Sequence, residues 1–186
     1  MLITMSGTPG SGKTTVARLL SAQLRLPHIY AGDLFRQAAR DRGLSLEAFN
    51  RLAEGDHSID RELDARMAEY VRQGGSILEG RLAGFLAEQE QADALKVWVT
   101  ASEETRARRV AGREASDWRT VLEQNRVRQR SDTKRYHDIY GFDLSDTAIY
   151  DVILESDNTS PEDLAAAIVQ HALQRFGGAP IPGASR

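Results

Sequence analysis

The sequence begins with a short apolar run that leads directly into a glycine-rich segment. Leu2 to Met5 are followed by a stretch that fits the pattern G-x-x-x-x-G-K-[ST] of phosphate-binding loops. Its residues are Gly7, Thr8, Pro9, Gly10, Ser11, Gly12, Lys13 and Thr14. At average residue usage, this register arises by chance in fewer than about one in a hundred chains of this length. A strand before the loop and a helix after it predict a nucleoside triphosphate site.

The chemistry of such a loop assigns roles to its residues. Backbone N–H groups of a glycine-rich turn can point at phosphate oxygens, and the N-terminus of the next helix adds its positive dipole end. Lys13 is predicted to reach the β- and γ-phosphates, and the Thr14 hydroxyl is predicted to hold Mg²⁺. Thr15 continues the stretch into the helix and is included in the predicted nucleotide site.

Length and composition narrow the class of protein. A chain of 186 residues suits one compact domain. Its formal net charge of -3 provides no basic field for nucleic acid, and it has no cysteine for disulfides or Cys-based zinc sites. No apolar run approaches the length of a membrane span, and no signal-peptide pattern opens the chain. We therefore expect a cytoplasmic protein without membrane or nucleic-acid partners.

Short apolar strands alternate with helical periodicity along most of the chain. Strands are predicted at residues 2–5, 28–30, 76–79, 95–100 and 150–154, and the clearest helices at 15–24, 60–73, 116–139 and 161–176. This alternation predicts an α/β fold, a five-stranded parallel sheet with helices on both faces. Ligands of such sheets bind at the carboxyl ends of the strands. We expect one domain over 1–176 and a disordered tail over 177–186.

A phosphate loop alone is compatible with a switch GTPase, an ATPase or a small-molecule kinase. The guanine-reading pattern Asn-Lys-x-Asp is absent from the sequence. No strand is predicted to end in an acid at the place an ATPase needs one, since Glu79 is followed by Gly80 and Arg81. A D-x-x-G string at residues 138–141 lies at the end of a predicted helix and is interpreted as coincidence. These observations favour a kinase.

Arginines concentrate where a second phosphate is expected. Arg36 follows the second strand and Arg81 the third, so both are predicted to lie beside the loop and to act in function. On the helices after the fourth strand, Arg128 and Arg135 are favoured as functional, whereas Arg108, Arg119 and Arg126 are expected at the surface. Phosphoryl transfer between polyanions depends on positioning and charge neutralisation, and arginine offers bidentate phosphate contacts. An arginine-rich lid that excludes water is therefore predicted.

With these motifs the chain resembles nucleoside monophosphate kinases of the phosphate-loop kinase fold, and more closely the short cytidylate kinases common in archaea. The resemblance runs from Met1 to about Ala167. Besides the loop, its pieces are AGDLFR at 31–36, IDRELD at 59–64, LEGRLAG at 78–84 and KRYHDIYGFD at 134–143. It implies a monomer that transfers the γ-phosphoryl of ATP to CMP or dCMP with Mg²⁺.

The resemblance also implies roles for individual residues and regions. Arg36 would hold the acceptor's 5′-phosphate, and Asp33 would orient Mg²⁺-bound water or that phosphate. The Gly80-Arg81 pair would contact the acceptor nucleotide, so that the catalytic set is Lys13, Asp33, Arg36, Arg81 and Arg135. Further implied positions are Arg61 near the pyrimidine edge, Arg128 and Asp132 on the acceptor's phosphate and ribose, and Arg109, Arg113 and Arg135 in a lid over the ATP phosphates. The acceptor region is expected at about 32–73 and the lid at about 110–135.

Two departures from the family pattern leave the choice of base open. Longer bacterial cytidylate kinases carry a Gly-Arg-Asp whose acid helps to recognise the nucleotide, whereas here Leu82 follows Arg81. They also carry an extra insert, for which the chain between Arg36 and Gly75 is too short. Acceptors such as AMP, UMP or shikimate remain alternatives, with a non-catalytic nucleotide switch less favoured. The polar residues available to read a base are Asn50, Glu54, Asp56, His57, Asp60, Arg61 and Asp64.

Overall fold

A computed structural model describes residues 1–177, except for the side chains of Glu47 and Asn50. The elements are β1 (Leu2–Gly7), α1 (Lys13–Leu24), β2 (His28–Tyr30), α2 (Ala31–Asp41), α3 (Leu46–Gly55), α4 (His57–Gln73), β3 (Ser76–Glu79), α5 (Ala83–Gln89), β4 (Leu95–Thr100), α6 (Glu103–Glu114), α7 (Trp118–Tyr140), β5 (Val152–Glu155) and α8 (Pro161–Phe176). The strands form one parallel sheet in the order β2-β3-β1-β4-β5, which confirms the predicted fold class. The predicted disordered tail, apart from Gly177, lies outside the described residues.

The sheet carries an apolar core on each of its faces, as parallel strands that are covered on both sides require. On one face, Ile3, Ile77 and Val97 belong to the cluster that includes side chains of α1 and α8. On the other face, Leu2 and Leu78 pack with side chains of α4 and α5. In the register of the central strands, Met5 pairs with Glu79, so the carboxyl ends of β1 and β3 lie side by side. The phosphate loop therefore begins next to the end of β3.

Helix α5 is the element that the sequence pattern did not reveal. Its residues from Ala83 to Ala87 are all buried, and Leu82 at its start provides no side-chain cap. A helix that is apolar on every side has no amphipathic stripe, and without a cap it lacks the usual start signal. Smaller shifts affect α4, which begins at His57 because Asp56 caps it, and β5, which begins at Val152 rather than Tyr150.

Two helical subregions flank the sheet. Helices α2, α3 and α4 share a small apolar cluster centred on Phe49, Ile59 and Leu63, and they cover the predicted acceptor region at 32–73. Helices α6 and α7 form a hairpin joined through Ala107, Val110, Ala111 and Val121. The predicted lid at 110–135 spans the end of α6 and most of α7. Within residues 1–177, no helix is both long and apolar enough to cross a bilayer.

Candidate active site

The backbone of the phosphate loop explains two of its glycines. Gly7 has φ 141°, and a Cβ there would lie 2.0 Å from the carbonyl oxygen of Val99. Gly10 has φ 83°, and a Cβ there would lie 2.8 Å from the carbonyl oxygen of Arg106. Both positions combine the left-handed side of φ space with a close backbone neighbour, which only glycine tolerates. The loop is thus held against β4 and α6 as well as by its own sequence.

Two arginines of α6 hold the loop from outside. Arg106 is buried and donates from Nη1 to the carbonyl of Pro9 at 3.3 Å and from Nε to the carbonyl of Ala101 at 3.1 Å. Arg109 donates from Nη1 to Ser156 Oγ at 2.9 Å and from Nη2 to the carbonyl of Ser156 at 2.6 Å. Ser156 Oγ in turn donates to the carbonyl of Ser11 at 2.8 Å. These bonds fix the loop to α6 and to the end of β5, a role that no sequence pattern indicated for Arg106 and Ser156.

The side chain of Lys13 bonds back to the backbone of its own loop. Its Nζ donates a hydrogen bond to the carbonyl of Thr8 at 2.9 Å. Burial lowers the pKa of Lys13 to about 8, while the carboxylate of Glu79 acts in the opposite direction. A buried ammonium with a lowered pKa gains from any anion that replaces its missing solvation. The position suits phosphate oxygens enclosed by the loop.

Glu79 corrects the expectation that no strand ends in a suitably placed acid. It lies at the carboxyl end of β3, is 1% exposed, and its Oε1 accepts a hydrogen bond of 2.6 Å from the Thr14 hydroxyl. Its Oε2 lies 2.9 Å from Nε2 of His28 on β2. His28, which no sequence motif assigned to the site, therefore contacts it through Glu79. The role of Glu79 was hard to predict from sequence, because its strand has only four residues and the glycine and arginine that follow Glu79 belong to another motif.

A cavity joins the phosphate loop to the residues predicted to hold the acceptor. It measures about 80 Å³, and its lining includes Gly7, Thr8 and Pro9 of the loop together with Arg81 and Asp132. Burial, followed by repulsion from Arg128, lowers the pKa of Arg81 to about 10. A confined space beside a phosphate loop and a half-buried guanidinium suits an anion that meets the terminal phosphate of a bound triphosphate.

A chain of charged contacts runs from this cavity towards α4. Arg81 is in contact with Asp132, and Nη2 of Arg135 donates to Oδ1 of Asp132 at 3.2 Å. Nε of Arg135 lies 3.3 Å from Oδ2 of Asp60, which is 6% exposed. One turn further along α4, Tyr140 donates to Oδ2 of Asp64 at 2.8 Å. The chain links β3, α4 and α7 into one site.

Comparison with known proteins places this arrangement in a family. The model of the cytidylate kinase-like family matches residues 2–158. A cytidylate kinase of Methanopyrus kandleri is 42% identical over 180 residues, which cover 93% of either chain. The chain belongs to the cytidylate kinase-like family. A cytidylate kinase of Pyrococcus horikoshii is 40% identical over 168 residues, covering 90% of this chain and 86% of the relative.

Solved structures agree on the fold. A shikimate kinase from Bacteroides thetaiotaomicron superposes with a TM-score of 0.61 at 12% identity, covering 94% of this chain and 98% of the other. At that identity the likeness extends to the phosphate-loop kinase architecture alone.

Arg36 and Asp33 lie together on the first turns of α2. Arg36 Nη2 donates to Asp33 Oδ1 at 2.6 Å, and this bond raises the pKa of Arg36. The guanidinium carbon of Arg36 also lies 5.3 Å from the centre of the Tyr30 ring. The Arg36 side chain is 42% exposed and the Asp33 side chain is 71% exposed, so a ligand can reach both from solvent. Their roles on the acceptor phosphate and on Mg²⁺ stay predictions.

The remaining predicted site arginines differ in exposure and in partners. Arg61, Arg113 and Arg128 are exposed, and none of them has an ion pair with a described side chain. Arg128 is nevertheless close enough to lower the pKa of both Lys13 and Arg81. Arg126, expected at the surface, pairs there with Glu103. The lid roles of Arg109, Arg113 and Arg135 stay predictions, with Arg109 bonded to Ser156 and Arg135 turned towards α4.

Proposed function

We propose that the chain transfers the γ-phosphoryl group of ATP to CMP or dCMP, releasing ADP and the nucleoside diphosphate. The observation that carries the proposal is the cavity in which the phosphate loop faces Arg81 and Asp132. Support also comes from family membership and from relatives named cytidylate kinase along nearly the whole chain. In-line transfer requires a donor and an acceptor phosphate held end to end, and the cavity joins the two sides.

Donor and acceptor are bound by different parts of the molecule. The loop amides and Lys13 hold the triphosphate, and Lys13 neutralises charge on the transferring group. Arg81 and Arg36 hold the acceptor phosphate, with Arg128 adding positive charge at the same edge. A strict general base is unnecessary, because the attacking phosphate oxygen is already anionic near neutral pH. The residues thus act by positioning and by charge.

The oxygen donors beside the loop fit Mg²⁺. The Thr14 hydroxyl and the Glu79 carboxylate meet at 2.6 Å, and both are hard oxygen ligands of the kind that Mg²⁺ prefers. In the described part of the chain, no three acidic or imidazole side chains cluster as a metal cage. This suits an ion held mainly by nucleotide phosphates and water, with Thr14 and Glu79 as its protein contacts and Asp33 as the further position predicted from sequence. When bound, Mg²⁺ would neutralise phosphate charge.

The experiment that tests the proposal is an acceptor panel with the purified full chain. ADP release is coupled to an optical readout with ATP, Mg²⁺ and either CMP, dCMP, UMP, AMP, GMP or shikimate as acceptor. We expect CMP and dCMP to give the highest kcat/KM. Preference for another acceptor would contradict the assignment, and turnover that ignores every acceptor would point to a nucleotide switch. A monomeric state and a cytoplasmic location stay predictions beside it.

A further inference from the structure

One donor and one acceptor of hydrogen bonds are left unused in the buried contact between α4 and α7. Oδ2 of Asp60 and Nε of Arg135 lie 3.3 Å apart, yet neither has a hydrogen-bond partner among the described residues. Buried polar atoms are nearly always satisfied, and an unsatisfied one calls for an explanation. A ligand that offers a donor next to an acceptor would satisfy both.

The other acids of α4 are already used or face solvent. Asp64 accepts from Tyr140, and Glu62 pairs with both Arg42 and Arg66 at the surface. Glu69 is exposed. Among the carboxylates of this helix, Asp60 is therefore the buried one with an oxygen free to accept.

The position of Asp60 follows from the chain of contacts described above. The acceptor phosphate belongs at Arg81, in the cavity beside the phosphate loop. From Arg81 the contacts lead through Asp132 to Arg135 and then to Asp60 on α4. A nucleotide with its phosphate in the cavity and its ribose along Asp132 would carry its base to Arg135 and Asp60.

We propose that Asp60 reads the 4-amino group of the cytosine, with Arg135 Nε donating to the neighbouring ring nitrogen. This assignment rests on the proposed function, and it gives Arg135 a place at the base instead of over the ATP phosphates. Carboxylates accept hydrogen bonds from the cytosine amine, and cytosine presents that donor directly beside an acceptor. Uracil presents an oxygen and an N–H in the reverse order, which would set its oxygen against the carboxylate. Asp60 thus supplies from α4 the acid that the Leu82 position lacks.

The test compares substrates that differ only at position 4 of the pyrimidine. CMP, UMP and the monophosphate of the pyrimidin-2-one riboside, which lacks the amine, are assayed with wild type, Asp60→Asn and Asp60→Ala. For wild type we expect CMP to exceed the pyrimidin-2-one nucleotide by on the order of 100-fold or more in kcat/KM, because a site built to bind the amine is left unpaired without it. Asp60→Ala should lower the value for CMP to that of the pyrimidin-2-one nucleotide and leave the latter within about threefold. Asp60→Asn should reduce the CMP to UMP ratio at least about tenfold, since its amide can donate to the uracil oxygen.

Several outcomes separate base reading from a structural role. Glu69→Gln removes a charge from the exposed side of the same helix and should leave the CMP to UMP ratio unchanged. Equal losses for all three nucleotides in the Asp60 variants would show that Asp60 only positions Arg135, and would overturn the proposal. If wild type fails to turn over CMP at all, the proposed function fails instead.

A second measurement covers the case in which the Asp60 variants do not fold. A crystal structure of the wild-type protein with CMP should place the 4-amino nitrogen within hydrogen-bond distance of Asp60 Oδ2. An amine bound elsewhere, with Asp60 still paired only to Arg135, would overturn the proposal without any variant.

Discussion

The donor side and the acceptor side of this site are built in different ways. The donor side is built on one continuous stretch of chain, whose backbone is fixed by tight glycines and by bonds from Arg106 and Ser156, and Glu79 joins it through Thr14. The acceptor side draws its charged groups from α2, α4, α7 and the end of β3. Those groups contact one another: Arg36 pairs with Asp33, and Arg81 with Asp132. The donor side is therefore organised before any ligand binds, whereas charged groups of the acceptor side are paired with one another.

This difference has an energetic consequence. Buried ion pairs recover little more than the cost of desolvating their two charges, so exchanging one for a ligand phosphate can be nearly neutral. Arg81 can turn to an acceptor phosphate at the expense of its contact with Asp132. Lys13 makes a hydrogen bond to the Thr8 carbonyl, a neutral partner that a phosphate replaces with gain. We therefore expect changes on the donor side to affect the chemical step and changes on the acceptor side to affect acceptor affinity.

The largest effect is expected on the donor side, from Glu79→Gln. The variant keeps an oxygen for the Thr14 hydroxyl but removes the charge that faces Lys13. We expect kcat to fall by on the order of 100-fold, as for the loss of one preorganised electrostatic group, with the KM for CMP changed by less than about threefold. Steady-state kinetics with Lys13→Ala as the reference for a disabled donor side provides the measurement.

The matched control for that variant is Glu104→Gln, which removes an exposed carboxylate on α6 that pairs with Arg108. It should leave kcat unchanged. A Glu79→Gln enzyme with near wild-type kcat would show that the acid serves only packing. A large rise in the KM for CMP alone would show that Glu79 acts in acceptor binding. The donor side and the acceptor side would then not have separate effects.

The same contrast explains how much the sequence could predict. The donor loop is one contiguous sequence motif, so the sequence predicted its residues, the strand before it and the helix after it. The acceptor side depends on tertiary contacts such as Asp60 with Arg135, which lie on separate helices. Helical periodicity predicted the helix at 60–73, but Arg61, which the family resemblance placed near the pyrimidine edge, is exposed, whereas its neighbour Asp60 is buried. Which of two adjacent polar residues faces a partner helix is decided by packing.

Glu79 and α5 escaped prediction for related reasons. Glu79 was recognised as part of a motif, yet its bond to Thr14 depends on the register between β1 and β3, which sequence spacing does not reveal. Helix α5 has five consecutive buried residues, Ala83 to Ala87, so it shows no alternation of apolar and polar faces that would give a periodic signal. Arg106 resembled its surface neighbours on α6, although it is 5% exposed and bonds to the loop. In each case a neighbour distant in sequence decides the role.

A smaller effect, confined to acceptor use, is expected from Arg81→Ala. Removing a half-buried guanidinium that binds the acceptor phosphate should raise the KM for CMP by on the order of 10- to 100-fold, as hydrogen bonds to charged groups imply. The affinity for ATP should remain within about threefold. Initial rates over a CMP series at saturating ATP measure the first value, and equilibrium titration with a non-hydrolysable ATP analogue measures the second. Arg18→Ala, on the exposed side of α1, is the control.

An unchanged rate at subsaturating CMP in Arg81→Ala would count against the acceptor role. Loss of ATP affinity together with CMP affinity would show that Arg81 serves both nucleotides. Either result would weaken the comparison between the two sides, since it rests on their separate effects.

The smallest effect is expected in stability, at the contact between α4 and α7. Burial raises the pKa of Asp64 to about 6, despite the hydrogen bond from Tyr140 that acts in the opposite direction. Between pH 4 and pH 6 the folded state therefore holds a proton on Asp64 that the unfolded state has released, so the contribution of this carboxyl to stability falls as the pH rises. Asp64→Asn cannot titrate, and its amide oxygen can still accept from Tyr140. Relative to wild type, the variant should gain on the order of 1 kcal/mol in the free energy of unfolding from pH 4 to pH 7, after allowance for partial exposure.

Thermal melting of both proteins across that pH range measures the difference, which should rise through about pH 5 to 6 and level off by pH 7. A gain of that size corresponds to about 2–4 °C in Tm for a chain of this length. Glu69→Gln, which removes an exposed carboxylate from the same helix, should show no such pH dependence. A constant Tm difference between Asp64→Asn and wild type would mean that Asp64 is ionised at little cost in the folded protein. In that case the burial of Asp64 would cost the folded protein little, and the contrast between the donor side and the acceptor side would not extend to α4.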